Sequence, residues 1–471
     1  MEESYENALK CLHSRKAQPR ATLDEMRGLD DMSKWIELLG YSGKHLDSLN
    51  IIHVAGTDGK GSTSAYIASI LKASGKKVGL YTSPHLRDTR ERIRINGRPI
   101  SDTRFAAEFF EVWEKLPKTP TMELDIPRYL QLLALLSFHV FIKEKVDVAV
   151  YEAHMGGRYD ATNVIQSPIV AVITHVAKDH VRYLGPNIEK IAWHKAGILK
   201  TGCLAFSSIQ EPAVEEVLNR VAAETEVTIK FISKDTRLPL ATEAQRENCS
   251  LAVAAANAWL SLKADGLKNL HSIILDGIKH FSWPGRYDQF QEGKYQWFLD
   301  GAHNESSLSN TARWFAEACR TKGSDVTKIL IFAHFSKRNS IELLRLVQRS
   351  LISADVHLGH VIFTTYKKSH DGNVKSRPTK AKQNWLTHTV DQDKISRAGE
   401  LELFRQAWRE LDPDAMVWCE DTVEDALNRT RIITQTDSEI QTLVTGSLHL
   451  VGPALDLLGY LKPVRVGQTS A

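Results

Sequence analysis

The sequence predicts an α/β protein in two domains, each built on a mostly parallel sheet with crossover helices. Short β-branched runs alternate with helical patterns along the chain, as crossover connections require. A length of 471 residues exceeds what one ordinary hydrophobic core accommodates. Between two series of such runs, "HFSWPGRYDQF" carries a Pro-Gly turn that interrupts the pattern, which divides the chain into domains 1–290 and 291–471.

In the first series "NIIHVAG", "KVGLYTS", "VDVAVYEAH" and "PIVAVITHV" read as buried strands, each ending in residues that can do chemistry. Ligands of open α/β sheets sit beyond the carboxyl ends of the strands, so these four ends are expected to face one crevice. "YLQLLALLSFHVFI", Tyr129 to Ile142, is apolar but short of the roughly 18 residues a membrane span needs, and reads as a core helix. The basic run "RDTRERIRINGR" reads as an exposed strand pair, or as a surface for an anionic tail, rather than a nucleic-acid patch. The second series comprises "YQWFLDGAH", "KILIFAHF", "HVIFTTY", "MVWCED" and "QTLVTGSLHLVG". The polar segment "KKSHDGNVKSRPTKAKQN" reads as a mobile loop, and no internal repeat is evident.

A hydrophobic content of 42%, 25% charged residues and a net charge of +3 describe a soluble globular protein with no strong electrostatic call for nucleic acid. The five cysteines form no C-x-x-C pair, which argues against a disulfide framework or a structural zinc. The start "MEESYENALKCLHSRK" lacks a signal-peptide core, so the expectation is a cytoplasmic monomer acting on small molecules, with neither nucleic acid nor membrane as partner.

The stretch "HVAGTDGKGSTSAYIASIL", His53 to Leu71, carries the sharpest chemical signal. After a strand, Gly56, Gly59 and Gly61 let the backbone approach a polyphosphate, and Lys60 supplies a point charge. Ser62 or Thr63 offers a hydroxyl to a metal, and the helix that follows aims its N-terminus at the anion. The match to G-x-x-x-x-G-K-[ST] is incomplete because Gly61 separates the lysine from the hydroxyl, so a plain glycine-rich turn stays open on this stretch alone. Further along, Glu152 closes a strand just before "HMGGRYDATN", and Asp179-His180 follow another. A glutamate beside a phosphate loop suits Mg²⁺, which is usually held by one or two carboxylates with phosphates and waters. Asp179-His180 reads equally as a helix cap with a surface histidine.

The segments "HVAGTDGKGST", "LYTSPHLRDTRERIRINGRPIS", "GGRYDATN", "DHVRYLG", "IAWHKAGILK", "WPGRY", "LDGAHN" and "VTGSLHLVG" run in this order from the first strand nearly to the C-terminus. In that ordered set the chain resembles the eukaryotic folylpolyglutamate synthases, members of the Mur-ligase-like superfamily of ATP-dependent amide-forming enzymes. The resemblance implies a phosphate-loop, ATPase-type first domain and a smaller Rossmann-like C-terminal domain. It implies that Gly56, Thr57, Gly59, Lys60, Gly61 and Ser62 hold ATP, with Arg286, Asp300 and His303 contacting the nucleotide. Ser83 and Glu152 match ligands of one Mg²⁺; His180 and Lys195, the latter as a carbamate, match ligands of a second, with a monovalent cation as a further candidate. Asp160 and Ser447 match positions near the reacting carboxylate and the incoming amino acid. Read without the resemblance, Lys195 is a surface lysine near a helix end, Asp160 a turn cap and Ser447 a core-edge serine.

The implied reaction passes the γ-phosphoryl group of ATP to the γ-carboxylate of a folate, and L-glutamate's amine then attacks the acyl phosphate. Lys60, Lys195, Asp160 and His180 are the catalytic candidates by that resemblance. No protein nucleophile is needed, in keeping with the lack of a convincing Ser-His-Asp or Cys-His arrangement. Departures from the family pattern cluster at the same places. Asp58 stands where lysine or asparagine is usual, His154 where glycine is usual, His194 where glutamate is frequent, and Arg338-Asn339 where arginine-aspartate is usual. Asp58 is expected to weaken ATP binding unless turned away or bound to a metal or lysine. A ring at His154 is expected to narrow the substrate groove or to ligate a metal. Two further readings stay open: a paralogous ligase for a non-folate carboxylic acid, and a non-catalytic folate- or nucleotide-binding protein. A dehydrogenase reading is disfavoured because G-x-G-x-x-G is absent.

Overall fold

The buried apolar runs of the first series lie side by side in one sheet. In a computed structural model of the chain its strands are β1 (Ile52–Ala55), β2 (Val78–Tyr81), β3 (Ile93–Ile95), β4 (Arg98–Pro99), β5 (Val148–Glu152), β6 (Val170–Ile173), β7 (Leu204–Ser208) and β8 (Ile229–Ile232). Their order is β4-β3-β2-β5-β1-β6-β7-β8, parallel except where β3 pairs with β2 and with β4. The structure describes residues 3–15, 28–119, 126–263, 269–320, 326–335, 339–369, 397–433 and 439–459. Arg338 and most of the polar segment expected as a loop lie outside them.

Strands β1, β2, β5 and β6 are buried at every position, because helices cover both faces of a parallel sheet and select continuous Val/Ile/Ala runs. The basic run does form a strand pair, β3 and β4, turned by Asn96 and Gly97 at φ +50° and +80°. Asn-Gly is the pair that tolerates two successive left-handed residues in a tight hairpin. The apolar helix Tyr129–Glu144 is buried on nearly all sides and packs Phe138 and Phe141 against Tyr151 of β5. No helix among the described residues is long and apolar enough to cross a membrane. On the far part of the sheet, helices Ile188–Ala196 and Pro212–Glu224 pack against Ala55, Ala171, Ile173 and Ala205.

Strands β7 and β8 were not among the expected runs. β8 is only partly buried and its Lys230 is exposed, so the alternation that marks a strand is blurred at this sheet edge.

The chain divides between Ser282 and Trp283, ahead of residue 290. The reason is β9 (Asp288–Glu292), which pairs antiparallel with β10 (Tyr295–Leu299) and so belongs to the second sheet together with the Pro-Gly turn before it. The other strands there are β11 (Thr327–Phe332), β12 (His360–Thr364), β13 (Met416–Glu420) and β14 (Ile440–Thr445). Their order is β13-β12-β11-β14-β10-β9, and every pairing from β10 to β13 is parallel. The chain steps outward from β11 to β13 and then returns as β14 between β11 and β10. Such a reversal opens a crevice at the carboxyl ends of the strands that flank it.

Within the first unit, helix Leu270–Lys279 lies against the helix Lys60–Ala73 that follows the phosphate loop. Gly277 makes this possible: a Cβ there would stand 2.6 Å from Ile70 Cα. Ser69 Oγ also donates to the Gly277 carbonyl at 2.7 Å. Gly277→Ala should therefore destabilise the first unit by about 1–3 kcal/mol through overpacking. Thermal unfolding checks this, and an unchanged melting temperature would show that the two helices are not held at this spacing.

Candidate active site

Strand β1 runs out into the phosphate loop under steric constraint. Gly56 has φ +146°, and a Cβ on it would lie 1.8 Å from Thr174 Oγ1; Gly59 has φ +86°, and its Cβ would lie 2.0 Å from Asn248 Oδ1. Only glycine fits either position. Gly59 caps the helix, which begins at Lys60. The loop is braced on the end of β6: the N–H groups of Thr57 and Asp58 both donate to the His175 carbonyl, at 2.8 and 3.2 Å. Thr57 Oγ1 donates to the Ala177 carbonyl and accepts from its N–H, each at 3.0 Å. Lys60 folds back so that Nζ donates to the Thr57 carbonyl at 3.1 Å.

Asp58 faces a partner that the sequence reading missed. His175 Nδ1 stands 3.7 Å from Asp58 Oδ2, and the carboxylate raises the histidine's pKa against the opposing effect of burial. The negative charge in the loop thus faces a histidine whose charged form it favours. Asp58 and His175 are far apart in sequence, and only the pairing of β1 with β6 brings their strand ends together.

Ser83 follows β2 and Glu152 ends β5, and the two strands are neighbours. Ser83 N–H donates to Glu152 Oε2 at 2.9 Å, and the glutamate is buried. Beyond Glu152 the chain forms a buried polar chain of contacts. Tyr81 O–H meets His154 Nε2 at 2.7 Å, and His154 Nδ1 lies 3.2 Å from Asp160 Oδ1. Asp160 also accepts from Met155 N–H, Thr162 N–H and Thr162 O–H, at 3.0, 3.0 and 2.8 Å. Burial alone would raise the Asp160 pKa; His154 and the two N–H groups overcome this and hold it below the usual carboxylate range. Asp160 is buried, and its oxygens accept the bonds that organise this loop. His154 has both ring nitrogens engaged and its side chain is 5% exposed, so it neither lines an open groove nor offers a lone pair to a metal.

Asp179 and His180 follow β6. Asp179 Oδ1 accepts from His180 N–H at 2.7 Å, but no side chain caps the short helix Val181–Leu184 that follows; the imidazole remains partly exposed with Nε2 3.7 Å from Asp179 Oδ2. Lys195 is not on the surface: its side chain is buried and Nζ donates to the Gly56 carbonyl at 2.6 Å. Burial pushes the amine down to about 7, aided by the charge of Lys60 and opposed by Asp179 and Asp58. The glycine pair explains how its helix comes so close. A Cβ on Gly157 would stand 2.8 Å from the Lys195 carbonyl, and Arg158 N–H donates to the His194 carbonyl at 2.7 Å. His194 itself is buried, edge-on to Tyr159 and Trp193.

In sheet order, Ser83, Glu152, the phosphate loop and Asp179-His180 follow the ends of β2, β5, β1 and β6, four consecutive strands. A buried carboxylate, a hydroxyl and a phosphate loop in one row are the hard oxygen donors that Mg²⁺ takes, so the residues present fit that ion. Away from this row, Glu108, Glu111 and His139 also come together, but Lys143 Nζ lies 2.8 and 2.6 Å from the two carboxylates and supplies the counter-cation.

The second unit holds its own row at the crevice described above. Asp300, just past β10, accepts from Tyr287 N–H, Ala302 N–H and Thr311 O–H at 3.0, 2.9 and 2.8 Å. Burial raises its pKa and the Arg286 guanidinium opposes the shift. Arg286 Nη1 donates to the Gly285 carbonyl at 2.9 Å, and His303 Nδ1 lies 3.1 Å from the Gly301 carbonyl. Ser447 is buried, follows β14 and caps helix Leu448–Leu457 by accepting from His449 N–H at 3.1 Å. His334, after β11, went unnoticed in the sequence; it is buried, with Nδ1 2.8 Å from the Gly446 carbonyl. Its position at the end of "KILIFAHF" was the available signal.

Residues 54–251 match the Mur ligase middle domain. The chain is 38% identical to folylpolyglutamate synthase of Neurospora crassa, over 97% of this chain and 91% of that protein. It is 36% identical to the enzyme of the same name from Saccharomyces cerevisiae, over 90% and 80% of the two chains. The fold superimposes on Mycobacterium tuberculosis folylpolyglutamate synthase complexed with ADP and AMPPCP with a TM-score of 0.76, at 25% identity and with 93% and 96% of the two chains covered. Both units thus form an ATP-dependent ligase of the Mur type. The chain belongs to the folylpolyglutamate synthase family.

The pair at the phosphate loop gives a pH prediction. A histidine whose folded pKa is raised contributes stability that is fully present below the unfolded value of about 6.5 and is lost as pH rises through the folded value. Asp58→Asn should return the His175 titration toward 6.5 in an NMR experiment and remove that component of the stability profile. A His175 titration that does not move would show that Asp58 is not its partner.

Proposed function

We propose that the chain adds L-glutamate to the γ-carboxylate of a folate at the expense of ATP. The observation that carries this reading is the row of strand ends in the first unit, where a glycine-forced phosphate loop, a buried glutamate and a buried low-pKa lysine adjoin one another. Gly56, Thr57, Gly59, Lys60, Gly61 and Ser62 would cradle the phosphates of ATP, and the helix N-terminus behind them favours the negative charge. Ser83 and Glu152 would hold one Mg²⁺, and His180 with Lys195 a second. Bound there, such ions offset charge on the transferred phosphoryl group.

The environment of Lys195 supports its proposed carbamate. Only a neutral amine attacks CO₂, and an amine pushed down to about 7 is substantially neutral near neutral pH. Its product presents carboxylate-like oxygens where an ammonium could not ligate a cation. In the second unit, Arg286, Asp300 and His303 are assigned to the nucleotide and Ser447 to the amino acid. The carboxylate of the acceptor takes the γ-phosphoryl group, and the amine of glutamate displaces phosphate to leave the amide. Lys60 supplies charge and the helix N-terminus a fixed dipole, so the protein acts by electrostatics and positioning, without a nucleophile of its own.

ADP release by the purified chain with Mg²⁺, ATP and glutamate, across a panel of folates and other carboxylic acids, tests the reading. Folates should be the best acceptors; a non-folate acid that outcompetes them would make the chain a ligase of the same mechanism with another acceptor. Glu152→Gln should cut ADP formation by about 10²-fold or more without unfolding the chain, and near-normal turnover would remove Glu152 from the mechanism. Lys195→Ala should be inactive yet partly rescued by acetate, which can occupy the vacated ligand position. Lys195→Arg should stay inactive because guanidinium keeps the charge but forms no carbamate; a fully active arginine variant would refute the carbamate role.

A further inference from the structure

We infer that His154 is a positioning residue, which with Tyr81 locks the strand ends carrying Ser83 and Glu152 into one geometry. The inference rests on the ligase reading above and assigns a role to a side chain where the family pattern has glycine.

The geometry is a double cross-brace. Ser83 stands two residues after Tyr81, and His154 two residues after Glu152. Tyr81 ends β2 and Glu152 ends β5, neighbouring parallel strands in which Tyr81 is opposite Tyr151. The two segments are then tied twice beyond the sheet. Ser83 N–H donates to Glu152 Oε2 at 2.9 Å, and Tyr81 O–H reaches His154 Nε2 at 2.7 Å. Together the two bonds and the chain between them close a ring around the carboxylate. Neither bond alone would fix it, because a glutamate side chain at the end of a strand retains its own torsional freedom.

The brace is anchored on its other side. Nδ1 of the ring lies 3.2 Å from Asp160 and Nε2 lies 2.7 Å from the Tyr81 phenol, so both nitrogens are engaged. Thr162 donates its hydroxyl to Asp160, and His53 Nε2 lies 2.8 Å from the same hydroxyl oxygen. His53 belongs to β1, so the contacts run from β2 through the loop after β5 to the strand that carries the phosphate loop. Tyr81, Asp160, Thr162 and His53 are buried and the His154 side chain is 5% exposed, so a lost partner leaves a group with little water to replace it. His53 is accordingly kept neutral, burial pushing it down to about 3. Partners one step behind a metal ligand commonly set its affinity, and their loss costs about 10- to 100-fold.

Two readouts test the role. One is the Mg²⁺ concentration for half-maximal ADP release at saturating ATP; the other is Mn²⁺ binding in the presence of AMPPCP, followed by electron paramagnetic resonance, which needs no turnover. Tyr81→Phe keeps the ring and removes only the hydroxyl. It should raise the metal requirement roughly 10-fold in both readouts, with kcat at saturating Mg²⁺ within about 2-fold and a melting temperature near that of the parent. His154→Gln keeps a donor and an acceptor and should recover part of the loss seen in His154→Gly. The double variant Tyr81→Phe with His154→Gly should lose no more than His154→Gly alone, because both act through one bond. Unchanged metal affinity in Tyr81→Phe, or additive losses in the double variant, would overturn the inference. If His154→Gly does not fold, Tyr81→Phe and His154→Gln decide alone. A parent chain that binds Mn²⁺ with AMPPCP but releases no ADP with any acceptor would count against the ligase reading, while the binding shifts would still judge the brace.

Discussion

The close approach of the phosphate loop to the end of β6 is the constraint on which the rest of the site depends. Gly56 has room for no side chain against Thr174, and that contact sets where the next residues can go. The His175 carbonyl then collects two N–H groups of the loop, and Thr57 and Ala177 bond each other twice. The Gly56 carbonyl is turned toward Lys195, which gives a buried amine its hydrogen-bond acceptor. A lysine burial of this kind is costly unless the proton can be shed, and the depressed pKa follows from the same packing. Loop geometry and lysine chemistry thus have one steric origin.

Three of the residues singled out as departures from the family pattern have specific environments. Asp58 faces His175, His154 bridges Tyr81 and Asp160, and His194 packs among Tyr159 and Trp193. Each of these three side chains has a partner from another strand end or loop. Lys60, Glu152, His180 and Lys195 stand at or just beyond these strand ends and on the helix Ile188–Ala196.

The strand ends were legible because buried parallel strands must be continuous apolar runs, and "IIHVA", "VAVYE" and "VAVI" announce themselves. The glycine loop was legible for a similar reason, since glycine where the chain cannot hold a Cβ is a local requirement. Partners were not legible. Nothing in the neighbourhood of Asp58 points to His175, and nothing near His154 points to Tyr81, because sheet pairing alone brings them together. Burial of Lys195 was hidden for the same reason: "IAWHKAGILK" has the polarity of a surface helix, and the carbonyl that its amine meets belongs to Gly56, far away in sequence. Edge strands such as β8 and β9 escaped notice because a half-exposed strand carries mixed polarity.

The stacking of Phe281 on Tyr66 has a mechanical meaning. Phe281 is the last residue but one of the first unit, and its ring lies 3.5 Å from that of Tyr66 with the planes 11° apart. Tyr66 is on the helix that starts at Lys60. The last turn of chain in the first unit is therefore packed on the side of the helix whose tip the glycine loop forms, so one rod carries the loop at its end and the unit's closing residues along its length.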